Sequence, residues 1–550
     1  MKLNLSLFIT SLCLILFIKG QQVDKSLSSS ISKDKENSKL VVAIVVDQMR
    51  QEYLYKFYDR YSDGGFKKLM NEGYNFENTQ YNYVPTYTGP GHSSIFTGTT
   101  PAIHGIVSNT WFDPIENKTK YCVEDKSVNT VGEDSDYGKM SPVNQLSSTI
   151  GDEMKLASNG QSKVIGVALK DRSSILPAGH AADAAYWYSN SGSFISSSWY
   201  IDSLPKWLVN FNKQELARKY LSQDWETFFP IETYTTSLPD NNKYERNFDS
   251  EETPTFPHKL WDISKKGENL SIIKATPFGN TLTRQMAEAA ILGEELGTDD
   301  FIDFLSISFS SIDYVGHQFG PNSIEMEDAM IRLDLELEKL FSFLDKNLGS
   351  RSYTLFLTSD HGACNVPSHM IDLKIPAGYF STNVKTVLDS IIKEELNAEN
   401  IIKSYSNYQV FYDHQAIKKQ NICLEELNNI LIKEIFNFDG VYNIMTREQL
   451  LIEEYTHGIR GRSQLGYHPE LSGDLWIILN PGWMTYSRKG TTHGSPFSYD
   501  THVPLLWYGN MIPRGSSKEL VYITDIAPTL SNLIKCPQTN GSIGRVLSFE

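Results

Sequence analysis

The chain has 550 residues, a formal net charge of −16 at pH 7 and a hydrophobic fraction of 40%. This length is enough to bury a large core, and no internal repeat divides it. The acidic balance excludes a basic nucleic-acid footprint, so no nucleic acid is expected among the partners. An anionic substrate must instead be held by local positive charge, from metal ions and a few lysine or arginine side chains.

The first predicted element is an export signal. Lys2 precedes an apolar stretch at 3–18, and a polar stretch follows at 21–38. The apolar stretch is shorter than the roughly 20 residues of a transmembrane helix. We therefore expect a signal peptide at 1–20, a flexible leader at 21–38, and export to the periplasm or the medium without a stable membrane anchor. The end of the signal, Ile18-Lys19-Gly20, departs from the usual small-x-small cleavage pattern, which leaves a retained anchor as the alternative.

Residues 39–550 are predicted to form one α/β domain. Short apolar runs, which suit strands buried on both faces of a parallel sheet, occur at 40–46, 163–169, 304–309, 354–358, 474–479 and 503–508. Apolar residues at helical spacing predict crossover helices at 281–296 and 325–344. Two stretches, near 178–274 and 375–462, break the alternation. We interpret them as insertions that form a cap over the strand ends.

Six side chains of metal-ligand type follow this pattern. Five of them come after apolar runs, and the sixth lies in a polar, glycine-rich loop; they are Asp47, Asp313, His317, Asp360, His361 and, in the loop, His493. In an open parallel sheet, ligands bind outside the carboxyl ends of the strands. A buried carboxylate there needs a cation. Mixed oxygen and nitrogen donors without thiolates suit zinc, with manganese and cobalt as alternatives.

A hydroxyl accompanies these ligands at a predicted helix start. Thr88 is placed at the N-cap, with Pro90 in the first turn and a glycine on either side of the proline. The amide groups and dipole of a helix N-terminus attract an anion and lower the cost of an alkoxide. Thr88 is therefore the predicted nucleophile. Thr86, which lies before the turn, is the competing hydroxyl.

Positive and neutral donors are predicted near the same edge. Lys170 and Arg172 close the run at 163–169, so both point toward the edge that carries the acidic residues. Asn109, shortly after the helix that Thr88 opens, is a neutral donor. An exposed charged turn is the alternative interpretation of Lys170 and Arg172.

Together these residues resemble the alkaline phosphatase superfamily, and most closely its PafA-type secreted phosphatases with a threonine nucleophile. The resemblance runs from Val41 to about Leu533. It rests on the segments Val-Asp47-Gln-Met-Arg, Thr88-Gly-Pro-Gly-His, Gly105-Ile-Val-Ser-Asn109, Leu169-Lys170-Asp-Arg172, Asp313-Tyr-Val-Gly-His317, Ser359-Asp360-His361-Gly and Thr492-His493-Gly.

The resemblance implies an alkaline-phosphatase-like α/β sandwich, with a central mostly parallel sheet, helices on both faces and an inserted cap. It also implies two zinc ions per chain, with the Thr88 oxygen at the metals. One zinc would be held by Asp313, His317 and His493, and the other by Asp47, Asp360 and His361. Phosphoryl oxygens would be held by Asn109, Lys170 and Arg172. The implied reaction is broad-specificity hydrolysis of phosphate monoesters through a phosphothreonine intermediate, with release of inorganic phosphate.

Three other functions are alternatives. A phosphodiesterase or nucleotide pyrophosphatase of the same superfamily is the main alternative, because it would share the metals and the threonine. A sulfatase is disfavoured, since the Cys/Ser-x-Pro-x-Arg segment that it needs reads Thr88-Gly-Pro-Gly-His92. Intact metal ligands argue against a binding protein on an inactive phosphatase scaffold.

Overall fold

The computed structural model describes residues 38–550, so the predicted signal peptide and all of the leader except Ser38 lie outside the described residues. Ser38 itself is buried, and its Oγ lies 2.6 Å from Oγ1 of Thr354. Across residues 38–550, no helix is long and apolar enough to cross a membrane.

A central sheet of 11 strands organises the described chain. Across the sheet the order is His502–Val503, Tyr74–Gln80, Leu505–Gly509, Tyr353–Thr358, Leu40–Val46, Asp303–Phe309, Val164–Ala168, Ala184–Tyr188, Phe194–Ser197 and Thr130–Val131, with Gly515–Tyr522 paired to Tyr74–Gln80. The five strands from Tyr353–Thr358 to Ala184–Tyr188 run parallel, and antiparallel strands flank them.

The sheet is covered on both faces, as predicted. Successive side chains of a strand point to opposite faces, and Leu40–Val46 divides accordingly. Its even-numbered residues pack into a core with helices Pro277–Gly293 and Ile324–Leu348. The odd-numbered residues 41, 43 and 45 pack into a second core with Ile95, Phe96 and Ile526. All seven residues of the strand are buried, which explains its continuous apolar run.

The longer helices include the two predicted crossovers. They are Thr88–Thr97, Ile150–Ala157, Asp171–Ala178, Pro277–Gly293, Ser311–Phe319, Ile324–Leu348, Val384–Leu396, Leu424–Ile435, Gly458–Gly466 and Ile526–Ile534. Ile324–Leu348 begins at the N-cap Ser323, whose side chain accepts a hydrogen bond from the backbone N–H of Met326. The predicted α/β fold with a mostly parallel centre is therefore confirmed.

Two of the predicted runs pair differently from expectation. The run at 474–479 forms Leu475–Leu479 in a separate antiparallel sheet with Ile402–Ser406, Gln409–Tyr412 and Val441–Thr446. The run at 503–508 joins the central sheet, but Leu505–Gly509 is antiparallel to Tyr353–Thr358. Both strands are apolar because they are buried, and burial by itself does not fix the direction of pairing.

The two predicted insertions differ in structure. The first, near 178–274, contributes Ala184–Tyr188 and Phe194–Ser197 to the central sheet, and short helices such as Lys206–Asn212 follow. The second, near 375–462, supplies three strands of the separate sheet and the helices that pack on it around their own apolar core. This separate sheet lies beside the loop of His493, since both line one cavity. Its role as a cap remains a proposal.

Candidate active site

The carboxyl edge of the parallel strands gathers the predicted ligands. Asp47 directly follows Leu40–Val46, which pairs in register with Asp303–Phe309 on one side and with Tyr353–Thr358 on the other. Asp360 and His361 come just after Tyr353–Thr358, and Asp313 sits in the first turn of the helix after Asp303–Phe309. Because the three strands are parallel neighbours, their ends deliver these side chains to one place.

One group of three ligands consists of Asp313, His317 and His493, whose donor atoms lie within 4.8 Å of one another. His317 Nε2 is 3.1 Å from Asp313 Oδ1, and His493 Nε2 is 3.6 Å from the same oxygen. Asp313 and His317 share one helix at a spacing of four, which places both on one face. His493 arrives from the loop after Trp483–Met484.

The second group consists of Asp47, Asp360 and His361, again with donor atoms within 4.8 Å. His361 Nε2 is 3.5 Å from Asp47 Oδ1 and 3.5 Å from Asp360 Oδ2. The two groups adjoin, because the rings of His361 and His493 stack with their centroids 3.4 Å apart.

The three imidazoles are oriented by backbone carbonyls. Nδ1 lies 2.7 Å from Thr491 O in His317, 2.7 Å from Thr86 O in His493 and 2.9 Å from Gly362 O in His361. A carbonyl oxygen only accepts, so each Nδ1 carries the proton. Burial lowers the pKa of His361 and of His493, so their Nε2 atoms keep a lone pair directed at the neighbouring carboxylates. Metal-ligating histidines are fixed in this way.

The second group contains carboxylate oxygens that need a cation. Asp47 Oδ1 and Asp360 Oδ2 are buried and accept no hydrogen bond in the described structure. Burial raises the pKa of Asp47 to about 6, against the lowering effect of Lys170. Burial and then the charge of Asp47 raise the pKa of Asp360. Buried, unpartnered carboxylate oxygens facing an imidazole lone pair fit a divalent metal with oxygen and nitrogen ligands.

Lys170 joins the two groups. Its Nζ lies 2.6 Å from Asp47 Oδ2 and 2.6 Å from Asp313 Oδ2, and the side chain is almost fully buried. Burial lowers the pKa of Lys170, but the charges of Asp313 and Asp47 outweigh burial and raise it. The raised pKa favours the charged ammonium form of Lys170 between the two groups.

Thr88 lies at the same place. Its Oγ1 is 3.4 Å from His361 Nε2, and the residue is buried. The helix begins at Thr88 itself with Tyr87 as the N-cap, one residue earlier than expected, so the Thr88 hydroxyl does not cap its helix. Gly91 permits the close approach, because a Cβ at this position would lie 2.4 Å from the backbone oxygen of Asp360. Thr86, by contrast, directs its hydroxyl to Ser495 O at 3.0 Å.

Asn109 and Arg172 are the other residues predicted to hold phosphoryl oxygens. Asn109 Oδ1 accepts a hydrogen bond of 2.7 Å from the backbone N–H of Gly89, next to Thr88. Arg172 Nη1 donates to the hydroxyl of Tyr121 at 3.1 Å, while its Nε is buried and has no hydrogen-bond partner among residues 38–550. Asn109 is thus fixed beside Thr88, and Arg172 keeps unused donors.

Two supporting residues were missed from the sequence. Gln48 adopts a φ of 65°, its N–H donates to Asp360 Oδ1 at 3.1 Å, and its Nε2 donates to Asp313 Oδ1 at 2.6 Å. Gln48 thereby links the two groups through their carboxylates. His92 Nδ1 lies 2.9 Å from Thr88 O and 3.4 Å from Asp360 Oδ2, and its Nε2 lies 2.9 Å from Ser308 Oγ. His92 stands in the Thr88-Gly-Pro-Gly-His92 segment, which was the available signal, whereas Gln48 carries none beyond its place after Asp47.

Comparison with known proteins finds similarity to alkaline phosphatases and to a phosphodiesterase / nucleotide pyrophosphatase family. The profile of the family described as type I phosphodiesterase / nucleotide pyrophosphatase matches residues 41–503. Alkaline phosphatase PhoV of Synechococcus elongatus is 47% identical over 93% of this chain and 92% of its own. Alkaline phosphatase PafA of Elizabethkingia meningoseptica is 43% identical over 93% of this chain and 94% of its own.

A solved structure extends the similarity to the fold. The crystal structure of wild-type alkaline phosphatase PafA superimposes with a TM-score of 0.90 at 42% identity, covering 94% of this chain and 99% of the other. The resemblance that the motifs predicted is confirmed by these matches. The profile, the relatives and the structure together show that this protein belongs to the type I phosphodiesterase / nucleotide pyrophosphatase family of the alkaline phosphatase superfamily.

Proposed function

We propose that this protein is an alkaline phosphatase that hydrolyses phosphate monoesters of broad structure, with Thr88 as the nucleophile and two zinc ions as cofactors. The names of its relatives PhoV and PafA, which match nearly the whole chain, support the activity. One observation supports the mechanism most directly. The two ligand groups lie next to the hydroxyl of Thr88 at the start of its helix, and Thr88 Oγ1 is 3.4 Å from His361 Nε2.

The geometry supports two ligand sets. Asp313, His317 and His493 would hold one metal, and Asp47, Asp360 and His361 the other, with Thr88 Oγ1 beside them. Such a pair supplies Lewis acidity to the phosphoryl group and the leaving oxygen and lowers the pKa of the nucleophile. The six ligands are imidazole nitrogens and carboxylate oxygens, with no thiolate among them. Such a set favours zinc over metals that prefer thiolate ligands.

The chain's own residues carry the remaining steps. A bond forms between Thr88 Oγ1 and phosphorus as the bond from phosphorus to the departing alkoxide breaks, which leaves Thr88 phosphorylated. Water then cleaves the phosphothreonine, releasing inorganic phosphate and restoring the hydroxyl. Lys170, Arg172 and the amide of Asn109 hold the phosphoryl oxygens, and the amides at the start of the Thr88 helix add to the positive potential.

A phosphodiesterase is the rival within the family, and its name appears in the matched profile. The cations Lys170 and Arg172 favour the dianionic phosphoryl group of a monoester, since a diester carries one negative charge and a second substituent in that space. The purified enzyme should be assayed with p-nitrophenyl phosphate and with bis-p-nitrophenyl phosphate. A larger kcat/KM for the diester would move the assignment to the phosphodiesterase.

The N-terminal sequence supports a proposal for the cellular location of the protein. The charged residue Lys2 and the apolar stretch 3–18 support export to the periplasm or the medium. Fractionation of the native host, with the N-terminal residue of the mature protein determined by Edman degradation, tests both export and cleavage. Recovery of full-length chain in the membrane fraction would support the retained anchor instead.

A further inference from the structure

A cavity of about 180 Å³ opens beside Lys170 and Arg172. It is bounded by aromatic rings, among them Trp187, Tyr188 and Tyr314, and it extends to the exposed residue Asn190. A water molecule occupies about 30 Å³ of liquid. The cavity thus has room for a group of a few heavy atoms next to a phosphoryl group that Lys170 and Arg172 hold.

The cavity contains a third cation, Lys274. Its Nζ donates to Asn190 Oδ1 at 3.1 Å and lies 5.6 Å from the centre of the Tyr188 ring. An ammonium has three protons to donate, so two remain for a ligand after the bond to Asn190. Lys274 sits in the short helix Leu270–Ala275, outside the strand ends that supply the metal ligands.

Cations outnumber carboxylates in the lining of the cavity. Its single carboxylate, Asp171, is already engaged, because Oδ1 accepts from the Tyr121 hydroxyl at 2.5 Å and from the backbone N–H of Arg172 at 2.6 Å. Lys170 is already paired with Asp47 and Asp313, so Arg172 and Lys274 are the two cations that stand against this one engaged carboxylate in the lining. Burial lowers the pKa of Lys274 to about 8, and the charges of Arg172 and Lys170 add to the lowering while Asp171 opposes it. A cation held in such a field gains from a further anion.

We propose that this cavity is a subsite for a second anionic group on the substrate, with Lys274 as its specificity-determining residue. The substrate class is a small phosphate monoester that carries a carboxylate or a second phosphate a few bonds from the reacting phosphorus. Lys170 and Arg172 hold the transferred phosphoryl group, and the Lys274 ammonium donates to the second anion. The inference rests on the phosphoryl-binding role proposed for Lys170 and Arg172.

The test uses two substrates with the same primary-alcohol attachment. D-3-Phosphoglycerate carries a carboxylate where glycerol 3-phosphate carries a hydroxymethyl group. In Lys274→Met, kcat/KM for 3-phosphoglycerate should fall about tenfold or more relative to wild type, while kcat/KM for glycerol 3-phosphate should change by less than about threefold, since a charge-assisted contact is lost on one substrate only. Lys274→Arg should recover most of the difference. The exposed Lys206, changed to Met, is the control for a general loss of positive charge.

The outcomes separate this subsite from the activity itself. Equal losses on both substrates, or an unchanged value for 3-phosphoglycerate, would overturn the role of Lys274. Failure of the wild-type enzyme to hydrolyse glycerol 3-phosphate would contradict the phosphatase assignment on which the subsite depends. Should Lys274→Met not fold, as judged by cooperative thermal unfolding and metal content, Lys274→Gln makes the same comparison with a polar side chain that retains a hydrogen bond to Asn190.

Discussion

Lys170 Nζ lies 2.6 Å from Asp47 Oδ2, and both side chains are buried. The same ammonium reaches Asp313 Oδ2, so one lysine neutralises a carboxylate from each ligand group. A buried carboxylate without a cation is costly, so the contacts of Lys170 stabilise a carboxylate in each ligand group. We propose that metal ions held by the two ligand groups would take over that neutralisation, which would leave the ammonium available to a phosphoryl oxygen.

The first prediction concerns substrate class. Lys170→Ala combined with Arg172→Ala should lower kcat/KM for p-nitrophenyl phosphate far more than for its diester, because each charge-assisted contact contributes about 1.5 to 3 kcal/mol toward the dianion. Steady-state kinetics with both substrates, on protein of matched zinc content, measures the effect. Equal losses on monoester and diester would mean that these two residues do not select the dianion.

The second prediction concerns the nucleophile. Thr88→Ala should lose several orders of magnitude in kcat while keeping the fold and the metals, and Thr88→Ser should keep substantial activity because the hydroxyl remains. Thr86→Val is the matched control, since its hydroxyl bonds only to Ser495 O among the described contacts and its removal should cost about 1 kcal/mol of stability. Acid quenching during turnover, followed by peptide mapping, locates the phosphate. A phosphopeptide whose modified residue is Thr86 would refute the assignment.

The third prediction separates the two ligand groups. Metal analysis should find about two zinc ions per chain, and chelation should abolish turnover. His317→Ala and Asp360→Ala remove one ligand from different groups, so each should leave about one zinc per chain and lose most activity. Full activity of a protein shown to be free of metal would exclude the mechanism. Loss of both zinc ions in each single variant would indicate that the groups bind cooperatively.

The sequence was sufficient to predict the site residues that come directly after a buried strand. Asp47 comes after seven consecutive buried residues, and such a run predicts both the strand and the edge at which it ends. Asp360 and His361 follow their strand in the same way. His493, whose loop lies far along the chain, was predicted from its polar surroundings and the family resemblance, and the structure brings it within 3.6 Å of Asp313.

The partners of some strands and the backbone conformation of Gln48 could not be predicted from the sequence. Leu475–Leu479 is as apolar as a central strand, but its partners are set by contacts remote in the chain. Ala184–Tyr188 belongs to the central sheet although its aromatic residues lie in a segment rich in serine and tyrosine, which hid it among the predicted cap residues. Gln48 bridges the ligand groups only because its backbone adopts a positive φ, which few non-glycine residues do.

The fourth prediction concerns stability away from the active site, at His258. This side chain is fully buried, its Nδ1 lies 2.9 Å from Glu251 Oε1, and its Nε2 lies 3.4 Å from Glu325 Oε1. Burial lowers the pKa of His258, but the two carboxylates outweigh burial and raise it to about 9. The neighbouring Glu245 has its pKa raised to about 10 by burial and then by Glu325. Both groups therefore hold protons in the folded state that they release on unfolding.

The sign of the pH dependence follows from this difference. A histidine whose pKa is raised on folding contributes stability that is complete below its unfolded value of about 6.5 and is lost as pH rises through about 9. The raised pKa of Glu245 acts in the same direction, since stability falls with pH wherever the folded state binds more protons. The free energy of unfolding in zinc-replete buffer should thus fall by up to about 3 kcal/mol for His258 between pH 6.5 and 9. Urea unfolding across that range measures this fall.

His258→Gln should be less stable than wild type at pH 6.5, and its free energy of unfolding should depend less on pH. His414→Gln is the control, because His414 forms a half-exposed ion pair with Asp474, and its pH dependence should be nearly that of wild type. If the free energy of unfolding varied with pH in the same way for His258→Gln and wild type, His258 would bind no more protons in the folded state than in the unfolded state.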